Sequence, residues 1–140
     1  MRVLIIDGQG GKIGRGLIEG LLGAGLDDII AVGTNYAATA AMMKAGAKLC
    51  ATGENPVVVN AVNADIIAGP IGIIAANSLL GAVTPKMAAA VSESGAQKIL
   101  VPINKCSLTV AGTQGASLTE LTQQAIQIIC AYARQTGELS

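Results

Sequence analysis

The sequence predicts a single three-layer α/β domain spanning residues 1–140, with a mainly parallel sheet of five or six strands between two layers of helix. Two observations lead to this. Short, continuous apolar runs such as "VLII" and "KILV" have the composition of strands buried on both faces, and segments of helical periodicity alternate with them. Strands that alternate with helices build a parallel sheet through right-handed crossovers.

The first strand is expected from Arg2 to Asp7. A glycine-rich loop follows, and Ile13, Leu17, Leu21 and Leu22 then recur at helical spacing until Gly23 and Gly25 stop the pattern. A second buried strand covers Asp28–Gly33. An alanine-rich helix comes next, capped by Thr34 or Asn35 and closed by Gly46. The stretch "KLCATGENPVVVNAV" permits two readings: a strand at Lys48–Ala51 with a helix starting at Asn55–Pro56, or a strand at "VVVNAV". The first is preferred because it preserves the alternation, although three consecutive valines suit a helix poorly. "ADIIAG" is the next strand. "PIGIIAANSLLG" and "TPKMAAAVSESG" are expected as helical pieces, the second capped by Thr84 with Pro85 in its first position. "KILVPI" is a further buried strand, and "SLTVAG" is a possible hairpin partner for it. In the last helix Ser117 and Glu120 form a capping box, and Leu118, Leu121, Ala125, Ile128 and Tyr132 are placed on the buried face.

Composition narrows the function. Hydrophobic residues make up 51% of the chain, yet no apolar run is long enough to span a membrane, and the apolar start does not read as a signal peptide, so a cytoplasmic protein without a membrane partner is expected. Nine cationic side chains balance nine anionic ones without forming a basic stripe, which argues against nucleic acid as a partner. The sequence contains no histidine, and Cys50, Cys106 and Cys130 lack metal-ligand spacing. No metal is therefore expected, and His-assisted nucleophiles are excluded. High apolar content with only 13% charged residues leads us to expect a homodimer or higher homo-oligomer.

In a parallel α/β sheet the ligand crevice lies at the carboxyl ends of the strands, which directs attention to four loops. In the first, Asp7, Gly8, Gln9, Gly10, Gly11, Lys12, Ile13 and Gly14 join strand to helix, with Gly8, Gly10 and Gly14 spaced one residue wider than the usual dinucleotide fingerprint. Glycines let a backbone approach a phosphate closely, and a helix start directs free N–H groups at it. Lys12 and Arg15, in the first turn, oppose the helix dipole, a conflict that a bound anion removes. The second loop offers Thr34 and Asn35, where a dinucleotide fold usually has an acid for the ribose hydroxyls. The third is Gly69, Pro70, Ile71 and Gly72. The fourth brings Asn104, Lys105 and Cys106, with Lys105 able to lower the thiol pKa of Cys106. Lys86 repeats the pattern of a cation in the first turn of a helix. Asp7 and Glu54 are the acids available for acid/base work, with Asp7 alternatively bracing the glycine loop. No Gly-Lys precedes a Ser or Thr, so a P-loop is absent.

Taken together, "DGQGG", "GTN", "ATGEN", "GPIG", "TPKMA" and "NKC" resemble a bacterial family known as domain of unknown function 3842, over nearly the full length. That resemblance implies a compact Rossmann-like domain and no particular activity. A weaker likeness, carried by "AVGTN" and "GPIGI", is to methylglyoxal synthase, an enzyme with a phosphate-bearing substrate. Its acid is replaced here by Ile73 or Ile74, so the likeness extends to a phosphate site and not to the same chemistry.

The first functional expectation is therefore a nucleotide- or dinucleotide-binding protein, with NAD or NADP as cofactor. The alternatives are an enzyme acting on a small phosphorylated metabolite and a structural homo-oligomer subunit without ligand.

Overall fold

A computed structural model describes residues 1–103 and 107–140. Five strands alternate with helices: β1 (Val3–Asp7), α1 (Lys12–Gly23), β2 (Ile29–Gly33), α2 (Tyr36–Lys44), β3 (Leu49–Thr52), α3 (Glu54–Ala61), β4 (Ile66–Pro70), a 3-10 turn (Ile71–Ile74), α4 (Pro85–Glu93), β5 (Gln97–Val101) and α5 (Leu118–Gln135). The strands form one all-parallel sheet in the order β3-β2-β1-β4-β5. The molecule is an α/β, Rossmann-like fold.

Side-chain alternation along the central strands divides the core into two layers. Val3 and Ile5 of β1 join Ile29, Ala31, Ile66 and Ala68 beneath α1 and α5, with Leu17, Leu21 and Ile129 from those helices. On the opposite face Leu4, Ile6, Ile30, Val32 and Ile67 pack against Val57 and Ala61 of α3 and Met87 and Val91 of α4. Both faces of β1 are covered, which is why its sequence is continuously apolar. Close approach of α1 to α5 depends on small residues: a β carbon at Gly20 would collide with the Ile126 side chain.

Several boundaries differ from expectation, each for a local reason. Asn35, rather than Thr34, caps α2, its side chain accepting the Ala38 N–H. The strand-then-helix reading of residues 48–62 holds, but α3 starts two residues earlier, after Gly53 at φ 109°, and burial of Val57 and Ala61 overrides the poor helical preference of the valines. "PIGIIAANSLLG" is not a helix beyond its 3-10 turn. Asn77, Leu79, Leu80 and Gly81 have φ of 65°, 54°, 58° and 86°, making a left-handed loop in which the Asn77 N–H donates to Val83 O at 2.7 Å. Among the described residues of "SLTVAG" no strand forms, so the sheet has five strands. In α5 the buried stripe is Ala125, Ile126, Ile129, Cys130 and Ala133, while Ile128 is 55% exposed; the expected face was rotated by about one residue. Ser117 does cap it, accepting the Glu120 N–H.

Candidate functional site

The strand order reverses direction between β1 and β4, and the carboxyl ends of these strands frame a cavity of about 340 Å³. The glycine loop from Asp7 to Ile13 forms one wall. Pro70 at the end of β4, Leu79, Pro102 and Ile103 past β5, and Thr113, Ala116, Leu118 and Leu121 at the start of α5 complete it. The lining is predominantly apolar with a backbone-rich polar end, which is the composition of a small-molecule site.

Asp7 determines the shape of that end. Its carboxylate is 4% exposed; Oδ1 accepts the Gly8 N–H at 2.7 Å and Oδ2 accepts the Gly14 N–H at 2.6 Å. Burial raises its pKa, and the N–H groups of Gly14, Gly8 and Ile13 offset this only in part. The brace role considered from sequence is thus the observed one. It occupies part of the N-terminus of α1, leaving the N–H groups of Gln9, Gly10 and Lys12 without a partner among the described residues.

The three glycines that the fold requires here are Gly8, Gly11 and Gly14, in place of the trio Gly8, Gly10 and Gly14 singled out from sequence. A β carbon on Gly8 would meet Thr34 Oγ1 at 2.6 Å and Leu79 Cδ1 at 2.8 Å; one on Gly11, at φ 72°, would meet the Ala38 backbone; one on Gly14 would meet Met42 and Asp7. Gly10 has nothing within 4 Å of that position and no left-handed φ. Nothing in the packing demands a glycine there. Gln9, beside it, holds φ 51°, a conformation that costs a non-glycine residue of the order of 1 kcal/mol and is typical of ligand-facing loops.

The remaining sequence candidates divide clearly. Pro70 lines the cavity, but Gly69, Ile71 and Gly72 do not. Gly69 is there because a side chain would strike Ile6 O, and Gly72 O accepts a hydrogen bond from the buried Ser78 hydroxyl. Thr34 and Asn35 lie at the end of β2, outside the cavity, with Asn35 used as a helix cap. Thr34 Oγ1 is buried without a hydrogen-bond partner among the described residues, next to Gly8. Glu54, at the start of α3, and Lys86, in α4, do not line the cavity, so Asp7 and Glu54 do not form an acid/base pair across it. Asn104, Lys105 and Cys106 lie outside the described residues. The sequence reading missed the apolar wall from Leu79, Pro102, Ile103 and the start of α5. Its only available trace was the position of Leu118 and Leu121 in the first turns of an amphipathic helix.

Fold and loop define the class: an α/β domain with a glycine loop and a cavity at the reversal point of its parallel sheet. The chain belongs to the family described as domain of unknown function DUF3842, which it matches over residues 2–134. No curated protein and no solved structure matches it.

Proposed function

We propose that this protein binds a nucleotide, with NAD or NADP as the preferred candidates, whose phosphates rest on the glycine loop. The supporting observation is the wall presented by Gln9, Gly10 and Lys12: three N–H groups without a partner among the described residues, and a glycine with no packing role, beside a cavity at the sheet's reversal point. Asp7 already engages the deeper N–H groups, so the phosphates sit further out and the Lys12 ammonium supplies the compensating charge. The apolar cavity takes a flat ring on the β4 and β5 side.

A second reading, a small phosphorylated metabolite, is favoured by one fact: the cavity of about 340 Å³ does not extend to Thr34 and Asn35. Inorganic phosphate and AMP, tested beside the dinucleotides, separate the two.

The test is thermal unfolding with NAD, NADH, NADP, NADPH, AMP or phosphate, on wild type and Gly10→Leu. Saturation at a hundred times Kd adds about 2.7 kcal/mol, a rise of several degrees for a domain of this size. Because space around Gly10 is open, the leucine variant is expected to unfold within about 2 °C of wild type and to lose the ligand-induced rise. No rise with any nucleotide, in folded and ligand-free wild-type protein, overturns the proposal.

A further inference from the structure

We propose that the β3 edge of the sheet is a dimer interface, at which β3 pairs antiparallel with β3 of a second copy about a two-fold axis through Ala51. Among the described residues β3 is bonded on one side only, to β2. The Gly53 N–H donates to Gly33 O at 2.9 Å, and backbone groups alternate along a parallel ladder, so Leu49, Ala51 and Gly53 turn toward β2 while Cys50 and Thr52 turn outward. The outward N–H and C=O groups have no partner among the described residues, which makes them a template for another strand. The other edge, β5, carries Lys98, whereas β3 has neither a charge nor a proline to deter pairing.

The part of the chain that carries this edge exposes apolar side chains. Among the described residues, five of the eight exposed large hydrophobic residues, Tyr36, Met43, Leu49, Val59 and Val62, belong to the segment that includes α2, β3 and α3.

The occupant and the register follow from complementarity of the strand with itself. Outward-facing Cys50 and Thr52 can exchange both hydrogen bonds when Cys50 stands opposite Thr52 of the second copy. That register sets the small Ala51 against itself and the 52% exposed Leu49 against Gly53, whose side-chain position is open, and it brings Lys48 to Glu54, the first residue of α3, immediately past the strand end. Neither Lys48 nor Glu54 has an ion pair among the described residues. The neighbouring register, with Cys50 facing itself, would leave Lys48 opposite Thr52 and Glu54 without a counter-charge. A self-complementary strand of this kind generates a closed, two-fold assembly rather than a fibre.

The test uses sedimentation of wild type, Lys48→Glu and Glu54→Lys at low salt. Wild type is expected at twice 13.9 kDa. Each single reversal creates two like-charge pairs and is expected to weaken its own dimer by at least about tenfold. An equimolar mixture of the two variants restores both opposite-charge pairs and is expected to dimerise like wild type. On wild type itself, a carbodiimide cross-link joining Lys48 to Glu54 in a mixture of 14N- and 15N-labelled protein is expected to contain mixed-isotope peptides. A monomeric wild type, a dimer that neither reversal weakens, weakened variants that fail to combine, or cross-links confined to one isotope each overturn the proposal.

Discussion

Asp7 holds the glycine loop in place, and its environment sets a measurable dependence on pH. Burial raises its folded-state pKa above the ordinary value of an aspartate, despite the N–H groups that favour the carboxylate. The folded chain therefore binds the proton more tightly than the unfolded chain, so this contribution to stability is complete below the unfolded pKa and is lost as the pH climbs through the folded one. Asn at this position keeps one acceptor but directs an NH2 at a buried N–H, which should cost about 1–3 kcal/mol. Denaturant titrations of wild type and Asp7→Asn from pH 4 to 8 are expected to show the wild-type advantage narrowing as the pH rises. A gap that widens would mean that the hydrogen bonds to Gly8 and Gly14 outweigh burial. Residue identity alone could not separate Gly10 from Gly11. Gly11 is packed against Ala38 and Ala41 of α2, and that contact exists only once α1 and α2 lie side by side.

At the scale of elements, buried strands and capped helices were the legible part. β1, β2 and β4 are covered on both faces and announce themselves as apolar runs; α2, α4 and α5 carry side-chain caps at Asn35, Thr84 and Ser117. The loop at residues 75–83 was not legible. Its apolar composition reads as a helix, and its left-handed path is imposed by Ser78 tied to Gly72 and by Leu79 lodged against Gly8. Leu80 takes φ 58° while 99% exposed, so it bears conformational cost without burial in return. Replacing it by glycine removes about 1–2 kcal/mol of left-handed strain and adds about 0.4–1 kcal/mol of unfolded-state entropy. Leu80→Gly is therefore expected to raise stability by roughly 0.5–1 kcal/mol, read as a higher urea midpoint at unchanged slope. A lower midpoint would show that Leu80 makes contacts in solution.

For the whole molecule, topology decides which sequence features meet. The order β3-β2-β1-β4-β5 sets the loops after β1 and β4 side by side and leaves the loop after β2 across Gly8 from the cavity. Sequence reasoning pointed to the glycine-loop wall of the cavity because glycines and a lysine directly after a buried strand stand out in the sequence. It missed the apolar half because Leu79, Pro102, Ile103, Leu118 and Leu121 look like ordinary core residues until the strand order brings them together. No helix among the described residues is long and apolar enough to cross a membrane.

The most direct test of the central claim is an amide-resolved NMR titration of 15N-labelled protein with NADPH, NADH and AMP in turn. If the glycine loop cradles phosphates, the amides of Gln9, Gly10 and Lys12 shift saturably with at least one of these ligands, while those of Gly8 and Gly14, held by Asp7, move less. Saturable shifts confined to other parts of the chain, or no shifts with any of the three, would contradict it.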